Sequence, residues 1–222
     1  MQLLAHRGYH RHTAENTLDA FAAALQLGFD GIETDVRVSA DQEAILYHDR
    51  VAPNGTPVAA LTRRELGELC GHAIPTLSEA LHAFPATYWN IEIKTPAAAS
   101  VALPILQQFE SSHRLLVTSF RHDVVLAAAE QLRVDCGLLN AHRPAALNSL
   151  LHAALNFSRL RTLVWDYEIV DPELMDQANA LGFRNAVYGA RTAFEHGLMR
   201  EYGLHTLITD YPEYVGLGSH EA

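Results

Sequence analysis

Cysteine is scarce in this chain. Cys70 and Cys136 are the only two and show no CxxC spacing, which excludes a disulfide framework or a zinc knuckle and leaves two reduced thiols packed in or near a core. Basic charge is also scarce. Sixteen Lys and Arg stand against 26 Asp and Glu, a net charge of −10, with no basic run. Such a chain is a poor holder of DNA or RNA, where neutralising phosphates dominates affinity. No apolar stretch approaches the roughly 20 residues of a membrane helix. The N-terminus lacks the succession of a signal peptide, because His6 and Arg7 interrupt it at once, so a cytoplasmic setting is expected. No GxGxxG follows the first apolar run, which removes the usual dinucleotide fingerprint of a doubly wound sheet. No low-complexity segment or Pro/Gly/Ser-rich linker divides the sequence, and a single domain over residues 1–222 is expected.

What is present is a regular alternation. Apolar residues make up 49% of the chain, enough for a large core. Strand-like runs fall at residues 3–5, 31–36, 89–93, 115–119, 135–139, 162–165, 184–188 and 206–209. Amphipathic stretches separate them. In "NTLDAFAAALQLG", Asn16 or Thr17 is placed as the N-cap and Gly28 as the stop. In "PELMDQANALGF", Pro172 sits near the helix start and Gly182 just past its end. Similar helices are predicted after Thr95, Phe120, Arg143 and Ala190. Eight βα units predict a parallel sheet and, at that number, a (β/α)8 TIM barrel. One segment breaks the rhythm: "VRVSADQEAILYHDR" reads as a hairpin rising from the second strand, turning at residues 40–42 and returning to His48. An irregular loop, "VAPNGTPVAALT", follows it.

Charge falls in unexpected places within the apolar runs. Leu3, Leu4 and Ala5 lead directly into His6 and Arg7, although buried charge is costly unless paired or used. In "GIETDV", Glu33 and Asp35 share one strand face, and in "NIEIK" Glu92 and Lys94 do the same. All lie at or near the C-terminal ends of the first three strands, the end of a barrel that carries chemistry, and His48 returns to the same rim. Three close carboxylates repel unless a cation sits among them. An all-oxygen set suits Mg2+ or Ca2+ better than zinc, and a cation would also reverse the local field for a phosphate-bearing substrate. His6 and His48, with side chains that titrate near neutrality, are the candidate acid–base pair. The other histidines, His113 among them, lack a strand-end context and are read as structural. His10 and His12 are partial exceptions, because their loop can reach the site.

Taken in order, "AHRG…ENTLDAF", "DGIETDV", "HD", "IPTL", "NIEIK", "TSF" and "LITDYP" resemble the glycerophosphodiester phosphodiesterase family over residues 5–212. The resemblance implies a (β/α)8 barrel, His6 and His48 as the catalytic pair, Glu33, Asp35 and Glu92 as ligands of one divalent cation, and Arg7 and Lys94 as phosphate contacts. The implied partner is a small glycerophosphodiester, split into glycerol 3-phosphate and an alcohol. Departures are Ala14 where a proline is common before "ENT", a shortened "RVAPNGTP" after "HD", and "AVYGART" where a tryptophan segment is usual, with Tyr188 as the replacement aromatic. Two alternatives are a phospholipase D-like lyase that ends at a cyclic phosphate and a non-catalytic barrel that binds a phosphorylated ligand. The sequence assigns neither an oligomeric state nor a choice between Mg2+ and Ca2+.

Overall fold

The computed structural model describes residues 1–217; His220 lies outside them. The chain opens with β1 (Gln2–His6) and α1 (Leu18–Gln26), then β2 (Gly31–Val38) and the short β3 (Ala44–Leu46). Two helices, α2 (Arg63–Cys70) and α3 (Leu77–Ala83), precede β4 (Tyr88–Ile93) and α4 (Pro96–Phe109). Regular units follow: β5 (Arg114–Ser119) with α5 (His122–Gln131), β6 (Asp135–Asn140) with α6 (Leu147–Ala154), β7 (Leu160–Asp166) with α7 (Pro172–Ala180), and β8 (Arg184–Tyr188) with α8 (Ala193–Glu201). The final strand, β9 (Thr206–Thr209), is followed by a 3-10 turn at Pro212–Val215.

The parallel strands run in the order β1-β9-β8-β7-β6-β5-β4-β2, and β1 pairs with β2 to close the ring. This is an eight-stranded (β/α)8 barrel. β3 pairs antiparallel with β2 outside it. The expected hairpin is therefore present but shorter than predicted, since its return strand stops at Leu46. The chain beyond is pinned by other bonds: Tyr47 N–H donates to Asp35 O (3.0 Å), and Arg37 Nε donates to His48 O (2.8 Å). Helices α2 and α3 were not predicted. Both are eight residues or fewer, and each begins at a threonine capping box, at Thr62 and at Thr76; no long apolar period marks them.

Strand alternation sorts the side chains. Ile32 and Val36 on β2, and Trp89, Ile91 and Ile93 on β4, are fully buried in the layer between barrel and helices. The barrel interior holds a smaller cluster of Leu4, Leu139, Val164, Ala186 and Ile208, with Tyr88 and Tyr188 packed on it. That cluster fills the barrel below the rim, so the inward charged residues above it sit on a packed floor. No helix among the described residues is long and apolar enough to cross a membrane.

Candidate active site

The tight exit from β1 explains the charged junction of the sequence. Arg7 adopts a left-handed φ of 57°, unusual for a residue with a side chain, and Gly8 follows with φ 80°. A Cβ at Gly8 would lie 2.7 Å from the backbone carbon of Ala20, so the turn lets the chain pack directly on α1. His6 ends the strand facing inward, and Arg7 folds over the rim. Its Nη1 donates to Glu15 (3.0 Å), while its Nε lies 3.3 Å from Asp35 Oδ2.

Glu33, Asp35 and Glu92 are all buried, and each offers an oxygen within 4.8 Å of the others. Lys94 Nζ sits 2.6 Å from both Asp35 Oδ1 and Glu92 Oε1. Burial raises all three carboxyls, but the outcomes differ. Lys94 and Arg7 overcome burial at Asp35 and hold it below the ordinary carboxylate range. Glu92 remains raised despite Lys94. Glu33, buried beside Asp35, is pushed up to about 8. Asn16 orients this group. Its Nδ2 donates to Asp35 Oδ2 (2.9 Å), and its Oδ1 accepts from Thr34 Oγ1 (2.6 Å) and from Asp35 N–H (3.2 Å). Asn16 is 2% exposed with φ 56°, a strained conformation of the kind that collects at functional sites. The N-cap of α1 is its neighbour Thr17, which frees Asn16 for this task.

Each candidate histidine is braced at Nδ1. His6 Nδ1 donates to the Asp210 carboxylate (3.0 and 3.1 Å), and His48 Nδ1 donates to Asp49 (2.8 Å). Both rings therefore present Nε2 as the free nitrogen. Burial lowers His6, but the hydrogen bond to Asp210 and the charge of Glu33 outweigh it, leaving the imidazole raised. Burial dominates at His48, which is lowered. Asp210 also accepts from His10 Nε2 (3.1 Å), and its two imidazole partners overcome burial to hold its carboxyl well below the usual range.

The structure thus brings His6, Arg7, Glu33, His48, Glu92 and Lys94 to one cavity of about 320 Å³ at the C-terminal end of the barrel. Asp35 lies directly beneath, against Lys94 and Arg7. His10 reaches the site only through Asp210, while His12 packs edge-on against Tyr9. His113 bonds the Leu81 carbonyl, meets Phe109 edge-to-face and does not line the cavity. Sequence reasoning missed Asn16 and Asp210. Both sit inside the quoted segments "ENT" and "LITDYP", so a polar residue within an otherwise recognisable motif was the available signal. Tyr188 does line the cavity.

Comparison with known proteins bears on the family and the fold. The model of the glycerophosphoryl diester phosphodiesterase family matches residues 6–214. A Caldanaerobacter subterraneus protein named glycerophosphodiester phosphodiesterase is 26% identical over 95% of this chain and 94% of its own length. A Mycobacterium tuberculosis protein named "Probable glycerophosphodiester phosphodiesterase 2" is 34% identical over 53% of this chain, a match spanning 47% of that relative. The crystal structure of a Thermotoga maritima glycerophosphodiester phosphodiesterase superposes with a TM-score of 0.85 at 25% identity, covering 96% of each chain. With that family match running across the barrel from His6 to beyond Asp210, the chain belongs to the glycerophosphoryl diester phosphodiesterase family.

Proposed function

We propose that this chain hydrolyses glycerophosphodiesters to glycerol 3-phosphate and an alcohol, with His6 and His48 as the acid–base pair and one divalent cation, Mg2+ or Ca2+, held by Glu33, Asp35 and Glu92. The observation that carries the reading is the meeting, in one cavity, of a buried carboxylate triad, two cationic side chains and two imidazoles braced at Nδ1. The donor set fits a hard cation: all three ligands are carboxylate oxygens, and two of them already converge on the Lys94 ammonium. When bound, the cation supplies positive charge to the nonbridging phosphate oxygens.

The chain's own residues do the rest. Arg7 offers its remaining guanidinium donors and Lys94 its ammonium to the phosphate. Asn90 borders the same cavity. Its Oδ1 accepts from Thr118 (2.8 Å), while its buried Nδ2 has no hydrogen-bond partner among the described residues. An unsatisfied buried donor costs roughly 1–3 kcal/mol, and a substrate oxygen would relieve it. One Nε2 accepts the proton of the attacking oxygen, and the other imidazolium donates to the departing alkoxide. The attacking oxygen is that of water, or that of the neighbouring glycerol hydroxyl, with water then opening the cyclic phosphate to glycerol 3-phosphate. Asp210 and Asp49 keep both rings oriented for these transfers.

The test is hydrolysis of glycerophosphocholine by chelator-treated protein, with Mg2+ or Ca2+ restored, followed by phosphorus NMR. Metal-dependent glycerol 3-phosphate is the expected product. A cyclic phosphate that persists would replace hydrolysis with the lyase reaction, and no turnover across several head groups would overturn the reading.

A further inference from the structure

The cavity has two chemically different sides. The side built by β1, β2 and β4 carries the triad, the cations and the histidines. The opposite side, from β5 to β9, contributes no member of the triad, neither Arg7 nor Lys94, and neither His6 nor His48. Phe120 follows β5 and meets Tyr188 at the end of β8 edge-to-face, with ring centroids 5.9 Å apart and planes at 83°. Leu139 and Ile208 continue this surface downward into the interior cluster. Asp166 ends β7 directly beside Tyr188 in strand register, and Glu168 stands two residues further on the same rim.

On this wall two aromatic rings and two aliphatic side chains provide apolar contact beside a small set of polar groups dominated by carboxylates, Asp166 and Glu168. The Asp166 carboxylate is engaged by the Tyr188 side chain beside it and caps the turn after β7, while Glu168 is exposed. Asp166 Oδ1 accepts the Glu168 N–H (2.9 Å), but among the described residues neither carboxylate has a Lys, Arg or His within ion-pair distance. Arg191 is the one cation that borders this side, and it leaves the pair of carboxylates with an excess negative charge. Aromatic faces and edges next to carboxylates form the surroundings that hold an alkylammonium group, through cation–π attraction and charge.

We propose that Asp166, Glu168, Tyr188 and Phe120 form a head-group subsite that selects a leaving alcohol bearing an ammonium group, quaternary or primary; this rests on the phosphodiesterase reading above. Phosphate and glycerol then occupy the metal-ligand side, and the cationic head group lies against the aromatic wall.

The experiment compares kcat/KM for glycerophosphocholine and glycerophosphoglycerol with the metal restored. The two diesters carry the same phosphate charge and differ in whether the head group is cationic. The wild-type ratio is expected to be on the order of tenfold in favour of glycerophosphocholine. In Asp166→Asn, which keeps a side-chain oxygen for the turn cap, and separately in the exposed Glu168→Gln, that ratio should fall severalfold while the thermal midpoint holds. A wild-type ratio near one would overturn the subsite, as would ratios unchanged in both variants. Turnover of neither diester would instead sink the phosphodiesterase reading, and the subsite with it.

Discussion

Asp210 offers the sharpest test of how the site is assembled. Its carboxylate accepts from His6 Nδ1 and from His10 Nε2, so one side chain serves two imidazole donors. Asparagine at this position keeps the shape but has one acceptor oxygen in place of two, and its amide N–H groups would face donors. His6 then loses the partner that fixes its orientation and leaves Nε2 free. A hydrogen bond to a charged group contributes roughly 1.5–3 kcal/mol. The Asp210 side chain is 38% exposed, so water replaces part of the loss and the lower end applies, about 1.5 kcal/mol, or roughly tenfold in rate. Asp210→Asn should therefore lower kcat about tenfold on glycerophosphocholine. KM and the metal dissociation constant, measured by calorimetry, should stay within about twofold, because Asp210 touches neither the triad nor the phosphate-facing cations. A kcat equal to wild type would refute the argument. So would a loss of rate that only follows a loss of metal affinity, since the effect would then belong to the triad.

His6→Ala and His48→Ala should each reduce kcat on the order of 10²–10⁴, with circular dichroism unchanged; wild-type rates in either would remove that residue from proton transfer. His113→Ala is the control: turnover near normal with a small drop in thermal midpoint, because it loses the Leu81 and Ser112 hydrogen bonds and the edge contact with Phe109. Asn16→Ala should weaken metal binding roughly 10–100-fold, the usual cost of removing a side chain that orients a ligand, and calorimetry showing wild-type affinity would contradict it. Gly8→Ala forces a Cβ to within 2.7 Å of the Ala20 backbone at positive φ. It should cost more than about 1 kcal/mol, visible as a fall of several degrees in the melting temperature; an unchanged melt would show that the β1–α1 turn can relax.

The barrel was legible because its physics is local and repeated. Each central strand is an apolar run bounded by helix caps, and inward charge within such a strand breaks the pattern conspicuously, as at Glu33 and Asp35 in β2 and Glu92 near the end of β4. What stayed hidden depends on contacts across the chain. Asp210 is 204 residues from the imidazole it braces, and nothing in "LITDYP" alone says which histidine it meets. Asn16 read equally well as a helix cap, since Asn is a good one; only the fold reveals that Thr17 takes that role while Asn16 turns towards Asp35. The hairpin was overextended for a related reason. His48 is held at the rim by the Arg37 side chain and by backbone bonds to β2, and alternation cannot distinguish that from a strand.

Charge balance in the site connects the buried triad to the kind of substrate it serves. Counting the histidines as neutral and the triad as ionised, as cation binding requires, three carboxylates face two cations, Arg7 and Lys94, which leaves one negative charge in excess within this set of five groups. The excess is localised. Asp35 contacts both cations, Glu92 contacts Lys94, and Glu33 contacts neither, its neighbours being His6 Nε2 at 3.9 Å and the Arg7 backbone N–H, which donates to it at 3.3 Å. Burial and the charge of neighbouring Asp35 push Glu33 up to about 8, whereas Lys94 and Arg7 overcome burial and hold Asp35 low. As a purely structural element such a cluster is a poor choice, because a buried charge without a partner costs several kcal/mol. A monovalent cation would cancel the excess and leave no attraction for an anion. A divalent cation leaves one positive charge, which a phosphodiester monoanion cancels in full. A phosphomonoester dianion would return the site to a net negative charge. In the proposed arrangement, a cation held by Glu33, Asp35 and Glu92 would therefore favour a diester over its monoester product, and cleavage would weaken the grip on what has been made.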